Sequence, residues 1–106
     1  MLESQFQSKL IRELRDRFPG CVILKNDAGY IQGIPDLLIL YGNTWAALEC
    51  KRTLGSRHRP NQDYYVNELG QMSFASFIAP ENMMEVLDDL QEVFATRGEA
   101  RFPQRQ

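Results

Sequence analysis

The sequence is poor in the features that stabilise small secreted domains, bind zinc or span membranes. Its 106 residues include two cysteines, Cys21 and Cys50, and one histidine. These are too few for a disulfide framework or a tetrahedral zinc site. The longest apolar run, residues 34 to 41, is broken by a proline and an aspartate and falls far short of the roughly 20 residues that cross a bilayer. The composition therefore predicts one domain that does not span a membrane, and we expect no organic cofactor.

The N-terminus also lacks the pattern of a secretion signal. No basic start followed by an apolar stretch occurs in the first five residues, Met-Leu-Glu-Ser-Gln, and that pattern marks a signal peptide. We therefore expect the protein to be cytoplasmic, where thiols stay reduced.

The charge is nearly balanced overall, but its distribution is uneven. There are 12 Lys and Arg against 14 Asp and Glu, for a net charge of −2. Residues 1–62 carry nine basic and six acidic residues, or +3, whereas residues 63–106 carry three and eight, or −5. A protein that holds nucleic acid by bulk charge is therefore excluded. Any contact with nucleic acid must be made by one local surface.

Hydrophobic spacing predicts an α/β domain with the element order αβββαβα. In the first helix, Phe6, Leu10 and Leu14 recur at intervals of four residues, which is typical of an amphipathic helix. The predicted elements are helices over residues 4–18, 61–69 and 80–96, and strands over residues 21–25, 36–41, 44–51 and 71–79, with Gly70 as the C-terminal cap of the second helix. This order indicates a mixed central sheet flanked by helices.

The C-terminal end of the chain differs from the part before it. The apolar pattern of the last helix stops after Thr96, and the following residues include a glycine, a proline and four charged residues. We therefore predict a single domain over residues 1–96 and a flexible or partner-contacting tail over residues 97–106.

A predicted hairpin turn at Gly42-Asn43 brings two carboxylates together. Glycine followed by asparagine suits a type II′ turn, which pairs Tyr41 with Thr44 and, further along, Asp36 with Glu49. Opposed carboxylates have Cβ atoms roughly 4.5–5.5 Å apart and destabilise a sheet unless their charge is balanced. Lys51 lies on the same face of its strand as Glu49, but it offsets only one charge.

A divalent cation would balance the remaining charge. Mg²⁺ accepts one or two carboxylates, keeps several waters and binds substrate phosphate oxygens. Asp36 and Glu49 are therefore predicted metal ligands, with the backbone carbonyl of Cys50 as a candidate third, and Lys51 would orient a water or stabilise developing charge. The alternative is a hairpin whose ends meet solvent, with Lys51 in an ion pair of little consequence.

These residues carry a resemblance to a nuclease motif. Pro35-Asp36, followed after twelve residues by Glu49-Cys50-Lys51, resembles the PD-(D/E)xK motif on the matching order of elements. Together with further matching positions, residues 3–90 resemble the virus-type replication-repair nuclease (VRR-NUC) family, and in particular its small stand-alone viral members. The additional matching positions are Gly29-Tyr30, Gly33-Ile34-Pro35-Asp36-Leu37, Gln62 at the start of the following helix, and Gly70 eight residues later.

The resemblance implies a restriction-endonuclease-like core and a metal-dependent cleavage of DNA. The family is similar to Holliday-junction resolvases and to the nuclease domains of interstrand-crosslink repair enzymes, which implies Mg²⁺- or Mn²⁺-dependent cleavage of branched or flapped DNA in repair or recombination. For a viral member the cytoplasm is that of the host. By position, the resemblance makes Asp36, Glu49 and Lys51 catalytic and Gln62 an auxiliary active-site residue. It also points to an acidic metal-site residue on the first helix, for which Glu3 is the match.

Two of these assignments have simpler alternatives. Gln62 is also an ordinary polar residue for the first turn of a helix, and Glu3 is also an acid that complements the positive end of the helix dipole.

A basic segment follows the catalytic strand and offers contacts for DNA. Its residues are Arg52, Arg57, His58 and Arg59, which would clamp a backbone phosphate. Lys9 on the first helix would extend this surface. The alternative is an ordinary solvated loop and helix face.

The function that these features favour is a magnesium-dependent endodeoxyribonuclease acting on structured DNA. No base-reading module is visible, so recognition of DNA shape and phosphates is favoured. A homodimer is expected, because symmetric cutting of two strands needs two related sites. The alternatives are a restriction-type nuclease specific for a sequence, which would usually need a longer chain, and a non-catalytic nucleic-acid-binding domain on the same fold.

Overall fold

The computed structural model describes the backbone of residues 1–27 and 29–101 and the side chains up to residue 96, with Ala28 excluded. Its elements are α1 (Glu3–Arg17), β1 (Val22–Lys25), β2 (Leu37–Tyr41), β3 (Thr44–Cys50), α2 (Gln62–Met72), β4 (Phe74–Ile78) and α3 (Met83–Arg101). The predicted order αβββαβα is confirmed. Among the described residues, no helix combines the length and the apolar character needed to span a membrane.

The four strands form one mixed sheet in the order β1-β2-β3-β4. The first three strands are antiparallel, and β4 runs parallel to β3. A parallel neighbour requires a crossover connection, since a tight turn reverses the chain direction. Helix α2 lies within that crossover.

The β2–β3 hairpin has the predicted register. Tyr41 pairs with Thr44 and Leu37 pairs with Leu48, so one further step along the two chains sets Asp36 opposite Glu49. Gly42 has a φ of +61°, as the first central residue of a type II′ turn requires. The short turn therefore determines which carboxylates meet about five residues away.

One face of the sheet is covered by α1 and α3 and forms the hydrophobic core. Its fully buried strand residues include Leu37, Ile39, Leu48 and Ile78. The apolar stripe of α1 packs against them, which explains its spacing of four residues. The core residues are Phe6, Leu10, Leu14, Phe18, Leu37, Ile39, Ala46, Leu48, Cys50, Ile78, Met83, Val86, Leu87, Leu90 and Phe94.

The other face of the sheet carries the predicted site and is covered by α2 over β3 and β4. A Cβ added to Gly70 would make only ordinary contacts with Ala75 of β4, at 3.8 Å or more, so this packing does not require a glycine. Gln62 is the one buried residue of this helix. Because successive strand residues alternate between faces, Glu49 points to the α2 side while its neighbours Leu48 and Cys50 point to the core.

Several predicted boundaries differ from the structure, and the fourth strand begins at Phe74, three residues after its predicted start. Helix α2 continues past Gly70 to Met72, with Ser73 as its C-cap, because Gly70 does not have the positive φ of a helix cap. Helix α3 begins at Met83, three residues after Pro80, which lies in the preceding turn. The same helix runs to Arg101, five residues beyond its predicted end at residue 96. Residues 102–106 of the predicted tail lie outside the described residues.

Candidate active site

Asp36 is held at the entrance of β2 by the loop that precedes it. The backbone N–H of Asn26 donates to the Asp36 carbonyl at 2.8 Å, and the Asn26 side-chain amide donates to the Pro35 carbonyl at 2.8 Å. The Asp36 carboxylate oxygen Oδ2 accepts the backbone N–H of Cys50 at 3.0 Å. The side chain is therefore tied across the hairpin to the residue that follows Glu49.

Glu49 is a buried carboxyl with one unsatisfied oxygen. Its Oε2 accepts a hydrogen bond from the Gln62 side-chain amide at 2.9 Å, whereas its buried Oε1 has no hydrogen-bond partner among the described residues. Burial raises the pKa of Glu49 to about 8, helped by the negative charges of Asp36 and, more weakly, Glu3, while Lys51 acts in the opposite direction. A carboxyl in this setting favours its neutral form at pH 7 unless a cation offsets its charge.

Lys51 reaches the carboxylates through an intermediary. Its buried ammonium Nζ donates to the side-chain oxygen of Gln62 at 2.6 Å and to the backbone carbonyl of Arg57 at 3.1 Å. The ion pairs among the described residues do not include one between Lys51 and Asp36 or Glu49. Gln62 thus links the two groups, because it accepts from the ammonium and donates to Glu49, while the Lys51 charge still favours the ionised form of Glu49.

Gln62 has the orientation that this bridge requires. It opens α2, and its side-chain oxygen accepts from both Lys51 and the backbone N–H of Arg59, the latter at 3.0 Å. Reversing the amide would place its NH₂ group against these donors and its oxygen against Glu49. The bridge therefore joins β3, α2 and the loop between them.

Glu3 and Cys50 have different relations to the site. Glu3 lines the same cavity as Asp36 and Glu49, although the described residues contain no group of three or more His, Cys, Asp or Glu side chains placed to hold a metal. The Cys50 side chain is fully buried in the core, and burial first, then the charge of Asp36, raise the pKa of its thiol to about 12. The roles of Glu3 and of the Cys50 carbonyl as metal ligands stay predictions.

The carboxylates of Asp36 and Glu49 are suitable ligands for a magnesium-like cation. Asp36 and Glu49 lie close enough for a hydrogen bond between their carboxyl groups to contribute to the raised pKa of Glu49, and no N–H or hydroxyl group of the described residues donates to Glu49 Oε1. Mg²⁺ binds through one or two carboxylates and completes its coordination with water and phosphate oxygens. A third protein carboxylate is therefore not required.

A cavity of about 590 Å³ opens above these groups, and its rim is basic. Arg52, Arg57 and Arg59 line it together with Asp36, Glu49, Lys51 and Gln62. His58 lies outside this lining: its ring stacks on Phe77 with centroids 4.0 Å apart, and its Nδ1 lies 2.7 Å from Asp63 Oδ1. Lys9 is exposed on α1 and is also not among the lining residues.

Sequence reasoning missed a contact that holds two parts of the site together. Gly33 has a φ of +91°, and a Cβ there would lie 2.6 Å from the Asn61 Cβ. Asn61 itself has a positive φ of 71° just before α2. The glycine marks the position in the sequence, but no local pattern indicates its partner 28 residues away.

In comparisons with known proteins, no protein-family model, curated protein or solved structure matches this chain.

Proposed function

We propose that this protein is a divalent-metal-dependent DNA endonuclease that hydrolyses phosphodiester bonds in structured DNA, such as a four-way junction or a flap, and that its domain is a PD-(D/E)xK core of the VRR-NUC type. The observation that carries the proposal is the buried Glu49 oxygen that lacks a partner beside Asp36, at the floor of a cavity rimmed by arginines. Carboxyl groups placed this close without a cation between them favour sharing a proton, which the raised pKa of Glu49 reflects. Carboxyl groups with pKa values shifted in this way cluster at functional sites.

In this proposal Asp36 and Glu49 hold Mg²⁺ or Mn²⁺. When bound, the cation supplies Lewis acidity that polarises the phosphate and lowers the pKa of a bound water. The other roles belong to the chain itself. Lys51 has three N–H donors, of which Gln62 and Arg57 accept two. The third is left to orient a water or to stabilise charge on a phosphate oxygen.

The arginine rim supports DNA as the substrate. Arg52, Arg57 and Arg59 surround the carboxylates, so negatively charged phosphates would meet positive charge at the rim and the metal site at the floor. The rim is formed by one loop without a base-reading helix, which favours recognition of DNA shape. A non-catalytic binding domain would need the rim but would gain nothing from the unsatisfied Glu49 oxygen.

The proposal is tested with a panel of substrates and metals. The chain is incubated with a four-way junction, a flap and a linear duplex, each with Mg²⁺, Mn²⁺ or EDTA. We expect metal-dependent cleavage of a branched substrate and none in EDTA. Sequence-dependent cutting of the linear duplex would favour the restriction-type alternative. Binding of DNA with no cleavage of any substrate would contradict the enzyme.

A pair of lysine variants locates the site. Lys51→Ala should abolish cleavage with little loss of DNA binding, because its ammonium acts on the reacting phosphate. Lys25→Ala is the matched control, since Lys25 is an exposed residue of β1 outside the cavity lining. Equal loss of cleavage in both variants, or none in either, would show that the site is misplaced.

A further inference from the structure

A second depression in the surface lies next to the cavity of the candidate active site. It is a groove of about 830 Å³, a volume within the range of sites that bind small ligands. Arg57, Arg59 and Pro60 line both the groove and the cavity, so the two depressions share one wall. The groove alone is lined by the rings of His58 and Tyr64, and we call it the aromatic groove.

Tyr64 presents an aromatic ring to solvent in this groove. The residue is 58% exposed, although it lies in the first turn of α2. Tyr65 contacts the Tyr64 ring at a centroid distance of 5.0 Å, with the two ring planes 80° apart. A T-shaped contact of this kind occupies at most one face of the Tyr64 ring. At least one face is therefore not covered by Tyr65 and can accept a planar group.

His58 supplies a second ring, which is held in a fixed orientation. It stacks on Phe77 with centroids 4.0 Å apart and planes 16° apart, and its Nδ1 lies 2.7 Å from Asp63 Oδ1. Phe77 covers one face of the imidazole, yet the His58 side chain keeps 34% of its surface exposed. Both rings of the groove are thus restrained by neighbouring side chains before any ligand binds.

The charges around the groove suit a nucleobase better than a phosphate. Arg57 and Arg59 lie on the wall shared with the active site, whereas Asp63 lines the groove only and has a side chain that is 75% exposed. A carboxylate repels a phosphate but accepts hydrogen bonds from the amino group of a base. This arrangement favours a base in the groove with its backbone phosphate over the arginines.

We propose that the aromatic groove binds one unpaired nucleobase of the DNA, next to the phosphate that is cleaved. A base in a duplex is stacked on its neighbours, so it cannot lie on Tyr64 unless it leaves the helix. A base in a single-stranded flap is free to do so, and stacking on an aromatic side chain tolerates any base. Among branched substrates the groove therefore selects a flap over a fully paired four-way junction.

The shared wall fixes the position of the groove relative to the reacting groups. Lys51 Nζ donates to the backbone carbonyl of Arg57 at 3.1 Å, and the backbone N–H of Arg59 donates to the Gln62 side-chain oxygen at 3.0 Å. A base held in the groove therefore positions its strand with respect to Lys51 and Gln62. The inference rests on the proposed function for its claim about cleavage, whereas binding of the unpaired base is measurable without metal.

The test compares flaps that differ only in their bases. The full chain is titrated in EDTA with a dye-labelled flap of each polarity, and with the same flap carrying abasic sites at the unpaired nucleotides nearest the branch. Abasic sites keep every phosphate, so the contacts with the arginines do not change. For the polarity that binds more tightly, fluorescence anisotropy should show roughly 10-fold weaker binding of the abasic flap, as expected for the loss of one stacked base.

Variants assign this effect to Tyr64. Tyr64→Ala should bind both flaps as weakly as the unmodified chain binds the abasic flap, whereas Tyr64→Phe keeps the ring and should keep the difference. Met72→Ala is the control, since Met72 is 68% exposed in the same helix and lines neither depression. Circular dichroism checks that each variant is folded, and the comparison of flaps on the unmodified chain does not depend on any variant.

A cleavage assay with Mg²⁺ tests the preference for flaps. The unmodified chain should cleave the intact flap faster than the abasic flap and faster than a fully paired four-way junction. Equal rates on the intact and abasic flaps, or faster cleavage of the junction, would overturn the inference while leaving the nuclease in place.

The binding assay separates the groove from the nuclease. Equal affinity for the intact and abasic flaps, no measurable affinity for either, or a folded Tyr64→Ala protein that still distinguishes them would overturn the inference. Affinity that depends on the bases and on Tyr64, without cleavage in any metal, would contradict the nuclease and support the groove as a site for an unpaired base.

Discussion

At the scale of single residues, the site depends on Gln62. Lys51 and Glu49 have no direct ion pair, and the Gln62 amide accepts from one and donates to the other. A glutamine can do this because its side chain carries an acceptor and donors on one rigid group. The bridge spaces the ammonium from the carboxyl, and no N–H or hydroxyl group of the described residues donates to the second oxygen of Glu49.

The raised pKa of Glu49 predicts that stability falls as pH rises. In the folded protein the pKa is about 8, against an ordinary value of 4.5, so between these values the folded state binds more protons than the unfolded state. The free energy of unfolding, measured with urea in EDTA, should therefore decrease from pH 5 toward pH 8 by up to about 1.4 kcal/mol per pH unit.

Glu49→Gln should flatten this pH dependence, because an amide does not titrate. Glu85→Gln, on the exposed face of α3, is the control and should leave the slope unchanged. A Glu49→Gln slope equal to that of the unmodified protein would show that another group titrates.

Removing the Gln62 bridge should affect stability and cleavage together. Gln62→Leu leaves the Lys51 ammonium and Glu49 Oε2 without their shared partner, and each unsatisfied buried group costs about 1–3 kcal/mol. We expect a lower midpoint of urea unfolding and a loss of cleavage. Gln71→Leu in the same helix is exposed and should change neither. Full activity of a folded Gln62→Leu protein would contradict the bridge.

At the scale of elements, the β1–β2 loop and the start of α2 are locked together. Gly33 in the loop touches Asn61 at the helix entrance, so the segment that delivers Asp36 and the helix that delivers Gln62 are mutually positioned. Glycine is required at position 33 by its positive φ and by the lack of space for a Cβ.

A comparison of two glycines with similar φ values separates the cost of backbone strain from the cost of the missing space for a Cβ. Gly33 and Gly20 have φ values of +91° and +87°, but a Cβ at position 20 would meet nothing within 4 Å. Gly20→Ala should cost roughly 1–2 kcal/mol from backbone strain alone. Gly33→Ala should cost more, because Asn61 must also move, and it should reduce cleavage. Equal losses in urea unfolding would remove any role for the contact with Asn61.

At the scale of the whole molecule, positive and negative side chains lie on different surfaces. Arg52, Arg57 and Arg59 line the cavity, while exposed acidic residues including Glu85, Asp88, Asp89 and Glu92 lie on α3. The net charge of −2 is therefore compatible with DNA binding at one place.

The salt dependence of DNA binding should report the arginine rim. Replacing Arg52, Arg57 and Arg59 together by glutamine should reduce the slope of log affinity against log salt by about two to three, since each neutralised phosphate contributes about 0.9. Lys9→Gln should reduce the slope by much less, because Lys9 does not line the cavity. A larger effect of Lys9→Gln would move the DNA surface onto α1.

The sequence by itself determined the order of elements, the hairpin register and the face on which Asp36 and Glu49 meet. These follow from the 3.6-residue and two-residue periods and from a two-residue turn, which act over short distances. It did not reveal the Gln62 bridge, the Gly33–Asn61 contact or the continuation of α2 past Gly70. Those features depend on which distant segments pack together. Only the tertiary structure decided them, because packing overrides local preference wherever two surfaces must fit.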